Sequence, residues 1–373
     1  MKQIDLRILP EKAMESIFEG WKINLRIIAI KTFNWEFWPM HVVYAPMYFY
    51  WFYLSAKARS FFFFSAANPA RKNAGFAMEK KSDSYAHLPQ NCYPKTILCQ
   101  QETSAQILKM MLRDKEIDFP LIAKPDMGER GAGVKLIKSF EELVEYSKLS
   151  STSFLVQQFI GYPNEVGIFY YRLPGSEYGQ ITGIVGKQFL SLRGDGKSNM
   201  ETLIKNNSRY LLQLKTLREI YGNRLQEILP DGEEKVLMPY GNHSRGAKFI
   251  DLSFIINETL TRSIDNFCKH LPEFYFGRLD IKFSSWEELE RGEKFSIIEL
   301  NGAASEPTHM YDPKHSIFFA WKEIIRHLNI LSRISRMNRK SYQLSYMDIS
   351  MGLQMFRDNS KYLKILDEFK LTT

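Results

Sequence analysis

The sequence predicts a mixed α/β (α+β) fold, and three observations support this prediction. The chain has 373 residues, of which 45% are hydrophobic and 25% charged, enough for two or three packed domains. Short apolar runs typical of strands, such as Phe154–Ile160, alternate with amphipathic helical segments, such as Thr103–Lys115. Neither internal repeats nor low-complexity tracts interrupt this alternation.

Changes in composition divide the chain into four consecutive segments. We expect an amphipathic and aromatic segment over 1–65, a linker subdomain over 66–118, the principal α+β domain over 119–312 and a helical extension over 313–373. Polar and turn-forming residues mark the first boundaries, because Ala66–Asp83 and Pro89–Pro94 are rich in proline, asparagine and charge.

The net charge and the cysteines limit the class of partner and compartment. A net charge of +8 at pH 7 suits an anionic partner such as a nucleotide or anionic lipid. The aromatic residues are bunched rather than interleaved with basic ones, so no nucleic-acid partner is expected. Cys92, Cys99 and Cys268 lack metal-ligand spacing and cannot all pair, which fits a reducing, cytoplasmic environment. No signal-peptide pattern is expected at the N terminus.

The N-terminal segment joins an amphipathic helix to an aromatic block. Apolar residues recur at helical spacing within 1–32, with basic residues between them: Ile17, Trp21, Leu25 and Ile28 among Lys22, Arg26 and Lys31. Phe33–Phe64 is then dominated by Trp, Tyr and Phe, and Pro39 and Pro46 are expected to break its helical continuity.

Two arrangements of Phe33–Phe64 fit the sequence. Aromatic residues flanked by Lys57 and Arg59 are typical of a membrane interface, and the fifteen uncharged residues between His41 and Lys57 are too few for a full span. Alternatively, the block packs as core onto residues 84–115, as a hydrophobic lid or a dimer face.

The remaining elements follow from periodicity and turn signals. Apolar, β-branched runs predict strands at Thr96–Cys99, Phe119–Ala123, Val134–Ile137, Phe154–Ile160, Glu165–Tyr171, Ile181–Val185, Lys187–Leu192, Val236–Tyr240, Tyr275–Phe283 and Phe295–Leu300. Helical spacing predicts helices at Thr103–Lys115, Ser139–Lys148, Met200–Leu217, Asn257–His270, His315–Ile334 and within Tyr346–Phe369. The first of these helices is expected to face inward with Ile107, Met110 and Met111, and Ser139 is expected to cap the second.

The stretch Phe119–Val134 carries the first functional signal. A short apolar strand delivers Lys124 to a loop that contains Gly128, Gly131 and Gly133. Glycines let backbone N–H groups approach an anion, and a lysine adds a point charge, so the pattern favours phosphate binding over a simple turn. The spacing matches neither the P-loop nor the dinucleotide fingerprint.

Two later strands carry a second signal. Alternation places Arg278 and Asp280 on one face of Tyr275–Phe283, and Glu299 and Asn301 together at the end of the next strand. Both strands are otherwise apolar, so these acids require a partner or a metal. Carboxylate and amide oxygens are the ligands that hold Mg²⁺ or Mn²⁺ against nucleotide phosphates, and Asp280, Glu299 and Asn301 are therefore the predicted metal ligands.

With these motifs, the chain resembles the ATP-grasp ligases, particularly D-alanine–D-alanine ligase and the ATP-grasp part of cyanophycin synthetase. The similar motifs occur in the family's order over roughly residues 75–310: Lys124 with its glycine loop, Gln157–Ile160 with Glu165, Leu192–Ile204, Gly246–Phe249, Gly277–Asp280 and Glu299–Gly302. The chain departs from the family at Gln158, where an acid is usual, and in the loop after Asn301.

The resemblance implies a role for each matching residue. It implies an ATP-grasp fold in which two α+β subdomains clamp ATP, with 119–312 as the catalytic domain. The implied ATP-binding residues are Lys81 (with Lys80 as the alternative), Lys124, Gly128, Gly131, Gly133, Gln158, Phe159, Ile160, Glu165 and Lys248. Arg278 and Lys248 are the implied catalytic residues. The second substrate is expected at Arg245 and at the loop Ser305–Asp312, through Glu306, His309 and Tyr311.

The resemblance further implies an ADP-forming, ATP-dependent ligase. Such an enzyme joins a carboxylate to an amine or related nucleophile through an acyl phosphate, with Mg²⁺ or Mn²⁺. Its substrates are expected to be small or lipid-linked, and the aromatic block would place it peripherally on the inner face of a membrane. The alternative is a membrane-associated ATP-binding module without catalysis.

Overall fold

A computed structural model describes residues 11–128, 131–238, 241, 243 and 246–372. The helices are α1 (Glu11–Phe33), α2 (Met40–Ala58), α3 (Lys81–Tyr85), α4 (Ala105–Lys115), α5 (Phe140–Leu149), α6 (Met200–Asn206), α7 (Ser208–Leu211), α8 (Leu214–Tyr221), α9 (Glu258–Lys269), α10 (Trp286–Glu290), α11 (Ile317–Ser341) and α12 (Ile349–Thr372). The strands are β1 (Thr96–Cys99), β2 (Leu121–Pro125), β3 (Lys135–Ile137), β4 (Phe154–Gln158), β5 (Asn164–Tyr171), β6 (Gln180–Gln188), β7 (Leu190–Arg193), β8 (Glu234–Met238), β9 (Lys248–Asp251), β10 (Phe276–Phe283) and β11 (Phe295–Asn301).

The chain divides into two compact units, each built from segments distant in sequence. The first contains the described residues up to Pro46 together with Gln188–Lys248 and Asp312–Ile317. The second contains Met47–Lys187, Phe249–Tyr311 and the chain from Phe318 onward. The four consecutive segments expected from composition stay a prediction. In the second unit, strand pairing joins β5 to β10, which is far away in the chain.

The second unit contains two sheets, which confirms the predicted mixed α/β class. One has the strand order β1-β4-β2-β3, and its pairs are antiparallel. The other has the order β11-β10-β5-β6-β9, with antiparallel pairs from β11 through β6. Apolar residues of the first sheet cluster around Leu121 and Phe154, and those on one face of the second cluster around Ile168 and Leu279.

In the first unit, a two-stranded antiparallel sheet and several helices share one core. Strands β7 and β8 pair, and α6, α7 and α8 pack against them through Met200, Leu211 and Leu214. The single helix predicted over Met200–Leu217 was therefore wrong, since it is interrupted at Asn207 and Gln213. The Asn207 side chain accepts hydrogen bonds from the backbone N–H groups of Arg209 and Tyr210 and so starts a new helix.

Two predicted helix faces were also different. In α4, Leu108 and Leu112 are buried and Met111 packs against the same core as predicted, whereas Ile107 and Met110 are about half exposed. In α1, the side chains that join the first unit's core are Ile23, Ile27 and Ile30. The alternative stripe, Trp21, Leu25 and Ile28, faces solvent. Each helix offered two apolar stripes, and the neighbouring core selected one.

The aromatic block is divided between core and surface. Helix α2 runs through Pro46 without a break, so only Pro39, which precedes the helix, ends helical continuity as predicted. Leu54 of α2 and the following residues Phe63 and Phe64 are buried in one cluster. They pack there with Ile334 of α11 and Met355 of α12, and not with residues 84–115. These contacts offset the one backbone hydrogen bond that proline removes. Within the described residues, none of the helices is long and apolar enough to cross a membrane.

Candidate active site

A cluster of four charged side chains lies where β10, β5 and β6 meet. The β10–β11 register places Asp280 opposite Glu299 and Arg278 opposite Asn301, so the juxtaposition predicted from strand alternation is present. Arg278 Nε donates to Asp280 Oδ1 over 2.9 Å. Together with Glu165 and Lys187, these residues form what we call the acid centre: Glu165, Lys187, Arg278 and Asp280.

Lys187 binds both carboxylates of the acid centre. Its Nζ lies 2.8 Å from Glu165 Oε1 and 3.0 Å from Asp280 Oδ2, and all three side chains are less than a tenth exposed. The two positive charges of Lys187 and Arg278 therefore balance the two negative charges of Glu165 and Asp280 in the protein interior. Burial opposes ionisation of Asp280, but Arg278 and Lys187 outweigh it and hold the pKa of that carboxyl well below its usual range.

A glycine in β5 makes room for this pairing. Gly167 is opposite Asp280 in the β5–β10 register. A Cβ at Gly167 would lie 3.1 Å from Asp280 Oδ1 and 2.9 Å from Val185 Cγ1, closer than side chains normally pack. The acid centre therefore requires a residue without a side chain at this position.

Lys124 lies on β2 in surroundings of a different kind. The residue is 7% exposed, and its Nζ donates to Tyr85 Oη over 3.1 Å and to the Ile298 carbonyl over 3.0 Å. Within the described residues, no carboxylate lies within ion-pair distance of this ammonium. Burial lowers the pKa of Lys124 from 10.5 to about 8, although Glu299, Asp126 and Asp280 act in the opposite direction. Among the described residues, Lys124 is thus a buried cation whose hydrogen-bond partners are neutral oxygens.

Lys81 contacts both the glycine-rich loop and Glu299, one of the predicted metal ligands. It begins α3, where its backbone N–H donates to the Asp126 carbonyl over 2.9 Å. Its Nζ donates to the Gly128 carbonyl over 2.8 Å and lies 3.8 Å from Glu299 Oε1. Lys80 is exposed at the position before the helix. Lys81 is therefore better placed than Lys80 to be the predicted ATP-binding lysine.

The predicted adenine hinge follows β4. Gln158 N donates to the Lys95 carbonyl over 2.9 Å, and the next residue, Phe159, is 40% exposed. Lys282 Nζ lies 5.5 Å from the Phe159 ring centre and donates to the Ile160 carbonyl over 3.2 Å. An exposed ring suits stacking against a flat ligand, and the assignment of these residues to adenine stays a prediction.

The residues predicted to receive the second substrate are spread over different surroundings. His309 is 3% exposed, and its Nε2 lies 3.2 Å from Glu323 Oε2. Glu306 accepts a hydrogen bond from Tyr311 Oη over 3.3 Å. Arg245 lies outside the described residues. The recognition role of these residues stays a prediction, and the burial of His309 favours a structural role for that side chain.

Lys248 belongs to the first unit, at the start of β9. It lines a cavity of about 350 Å³ together with Glu36, Arg209 and polar side chains of α7. Arg209 is ion-paired with Glu36, which also contacts His243. The phosphate-binding role implied for Lys248 by the resemblance stays a prediction.

Sequence reasoning missed Lys187, Tyr85 and Asp126. Asp126 accepts from the backbone N–H and the hydroxyl of Ser82, both over 2.9 Å, and so anchors the start of α3 beside the glycine-rich loop. Tyr85 Oη donates to the Ile298 carbonyl over 2.6 Å. A signal existed for Lys187, because a lysine that ends the apolar run ITGIVG requires a buried acid.

Neither a protein-family profile nor a curated protein sequence matches the chain. Among solved structures, it is similar to a bifunctional glutathione synthetase from Pasteurella multocida, at 12% identity and a TM-score of 0.36 over 66% of this chain and 35% of that one. It is similar to a D-alanine–D-alanine ligase from Bacillus anthracis, at 14% and 0.40 over 70% and 68%. It is also similar to the VanG D-Ala:D-Ser ligase from Enterococcus faecalis, at 13% and 0.39 over 68% and 61%. The chain therefore spans about a third of the length of the glutathione synthetase. At sequence identities of 12–14%, these similarities describe the fold and not the activity.

Proposed function

We propose that this protein is an ATP-dependent ligase that joins a carboxylate to an amine or related nucleophile. The observation that carries the proposal is Lys124, a buried ammonium next to a loop rich in glycine, whose hydrogen-bond partners in the described part of the chain are neutral. A buried cation without a counter-charge is costly, and a phosphate group would provide that counter-charge. Lys81 and the acid pair Asp280 and Glu299 lie in the same unit and supply the other charges that a triphosphate requires.

The proposed reaction has two balanced steps. A carboxylate oxygen of the substrate attacks the γ-phosphorus of ATP, and the bond to the β-phosphate oxygen breaks, which yields ADP and an acyl phosphate. The amine nitrogen then attacks the acyl carbon, phosphate leaves with its oxygen, and the amine loses a proton. Lys81 and Lys124 would hold phosphate oxygens, and Arg278 would stabilise the negative charge of the tetrahedral centre.

The residues at β10 and β11 fit a Mg²⁺ or Mn²⁺ in part. Among the described residues, Asn301 Nδ2 is buried without a hydrogen-bond partner, and Glu299 has a loose contact with Lys81. The Nδ2 group donates and so suits a phosphate oxygen, whereas the amide Oδ1 of Asn301 is the atom that would hold a cation. Both oxygens of Asp280 contact cations of the protein. No group of three or more His, Cys, Asp or Glu in the described part of the chain suits a metal. We infer a cation held by Glu299, Asn301 and phosphate oxygens, with Asp280 available if Lys187 moves; bound Mg²⁺ would neutralise phosphate charge.

A phosphate-release screen tests the proposed reaction. Purified protein, ATP and Mg²⁺ are incubated with amino acids, peptides and amino-lipids as acceptors, and the Glu299→Gln variant serves as the control. We expect release that depends on both the acceptor and Mg²⁺ and is lost in the control. Binding of ATP without release under any acceptor would instead favour the non-catalytic ATP-binding module.

We further propose that the protein works at an anionic membrane surface. An exposed apolar patch in the second unit, which we call the aromatic surface, joins α2 to α12: Phe49, Phe52, Tyr53, Phe61 and Phe356, each 40–80% exposed. Ring contacts connect Phe52 to Phe61 at 6.0 Å and Phe62 to Phe356 at 6.0 Å. Lys57 and Arg59 flank it in the sequence, and exposed basic residues beside aromatic rings suit anionic lipid headgroups.

Flotation with vesicles of anionic and neutral phospholipid tests this surface. We expect the protein to float with anionic vesicles, and the double variant Phe49→Ser, Phe52→Ser to remain in the lower fraction. Phe254→Ser is the matched control, because Phe254 is 82% exposed elsewhere in the same unit. Unaltered protein that stays at the bottom with anionic vesicles would contradict the membrane proposal without affecting the ligase proposal.

A further inference from the structure

The last three turns of α12 contact both described sides of the glycine-rich loop. On one side, Tyr362 Oη donates to the Met127 carbonyl over 3.0 Å. Leu366 is 2% exposed, and its Cδ1 lies 3.0 Å from the position that a Cβ would take at Gly128. The loop carbonyl next to the one that Lys81 binds is therefore held by the C-terminal helix.

The other side of the loop is held through Phe369. Gly133 has a φ of +68°, and a Cβ there would lie 3.0 Å from the Phe369 ring and 2.8 Å from Pro125 Cγ. Phe369 is 2% exposed and meets the Tyr146 ring edge-on at 5.3 Å. Tyr146 Oη in turn donates to the Gly133 carbonyl over 2.8 Å. Aromatic side chains thus close around the end of the loop.

One apolar cluster connects the two sides. Ala132, only 8% exposed, packs with Tyr362 and Leu366, and Met78 and Met127 pack against the same group. A loop of this composition ordinarily loses much conformational entropy when a ligand orders it. Contacts with α12 order its described ends during folding, before any ligand arrives.

We propose that α12 positions the phosphate-binding loop, with Tyr362 and Leu366 as positioning residues that act through Gly128 and Ala132. This inference rests on the proposed function, because it assumes that the loop binds the phosphates of ATP. Its distinctive consequence is that α12 affects ligands with phosphates and not the nucleoside alone.

Calorimetric titration of two ligands, adenosine and the non-hydrolysable β,γ-imido analogue of ATP, tests the inference. In Leu366→Ala the loop must be ordered by the ligand, so we expect the Kd of imido-ATP to rise about tenfold, with a smaller rise in Tyr362→Phe. The Kd of adenosine is expected to stay within about twofold in both variants. Ile365→Ala is the matched control, because Ile365 is the neighbouring residue of the same helix and is 39% exposed; neither Kd is expected to change there.

The possible outcomes separate the inference from the proposed function. Equal weakening of both ligands, or weakening of neither, would overturn the positioning role of α12. Tyr362→Phe keeps the ring and removes only the hydroxyl, so it remains informative if Leu366→Ala fails to fold. Unaltered protein that binds adenosine but gains nothing from the phosphates would overturn the proposed function together with this inference.

Discussion

The acid centre and the Lys124 site lie in the same unit, but their charges are balanced in opposite ways. In the acid centre, two carboxylates meet two cations at 2.8–3.0 Å, and the group is neutral before any ligand binds. At Lys124, an equally buried ammonium contacts a tyrosine hydroxyl and a backbone carbonyl. Neutral oxygens stabilise a cation less than carboxylates do, which is why the two lysines have pKa values shifted in opposite directions.

The charges of the acid centre are already paired within the fold, whereas the charge of Lys124 is available to a ligand. Removing one member of the acid centre leaves another buried charge without its partner, so its residues carry stability as well as any function. We expect Lys124 to contribute little to stability and to gain a counter-charge from a phosphate. The predictions below use this contrast, and they begin with the largest expected effect.

Replacing the two opposed acids separates catalysis from stability. We expect both Glu299→Gln and Asp280→Asn to lose turnover, because phosphate charge would be left unneutralised at a cost of several kcal/mol. Only Asp280→Asn should also lower the melting temperature, since Asp280 is buried and paired, whereas the Glu299 side chain is 32% exposed. Steady-state kinetics and thermal melts of both variants measure this. Near-normal Mg²⁺-dependent turnover by Glu299→Gln would overturn its metal assignment.

Lys187→Met tests the acid centre directly. Two buried carboxylates would lose one of their partners, and we expect the free energy of unfolding to fall by about 3–5 kcal/mol. Urea denaturation measures this, with Lys294→Met as the control, since Lys294 forms an exposed ion pair with Glu288 and should change little. A loss no larger than that of the control would mean that the acid centre does not stabilise the fold.

Lys124→Met tests the opposite expectation at β2. The free energy of unfolding should not fall, because an ammonium without a buried counter-charge is removed. The Kd of ATP should rise roughly 10–100-fold, the equivalent of losing one charge-assisted hydrogen bond. Calorimetry and urea denaturation of the same preparation give both values. An unchanged Kd together with lower stability would make Lys124 a structural residue.

The pH dependence of Lys124 gives the smallest effect. Its pKa of about 8 in the folded protein lies below the ordinary 10.5, so the penalty of the buried charge is full below pH 8 and is relieved as the pH rises from about 8 to 10.5. A bound phosphate would raise the pKa again, so ATP binding at pH 9 should take up less than one proton, and at pH 7 almost none. Titrations in buffers of different ionisation enthalpy measure this uptake, which Lys124→Met should abolish.

Much of the site could be predicted because its residues are arranged by local geometry. Strand alternation placed Arg278 and Asp280 on one face whatever the rest of the chain did. The cap at Ser139 accepts the N–H of Glu142 over 3.3 Å, as the local pattern predicts. These features depend on bonds within a few residues, and a single sequence contains that information.

Other features depended on which distant segments meet. Lys187 of β6 and Asp280 of β10 come together because their strands flank β5 in the sheet. That strand order is not visible in the sequence. The choice of Leu108 over Ile107 and the split of the aromatic block depended on which neighbours were available, because either apolar stripe satisfies a helix alone. The contact of α12 with the glycine-rich loop joins residues more than 200 positions apart. Periodicity thus determined which side chains share a strand face, whereas burial of apolar surface between remote segments decided which faces are covered and which charges are paired.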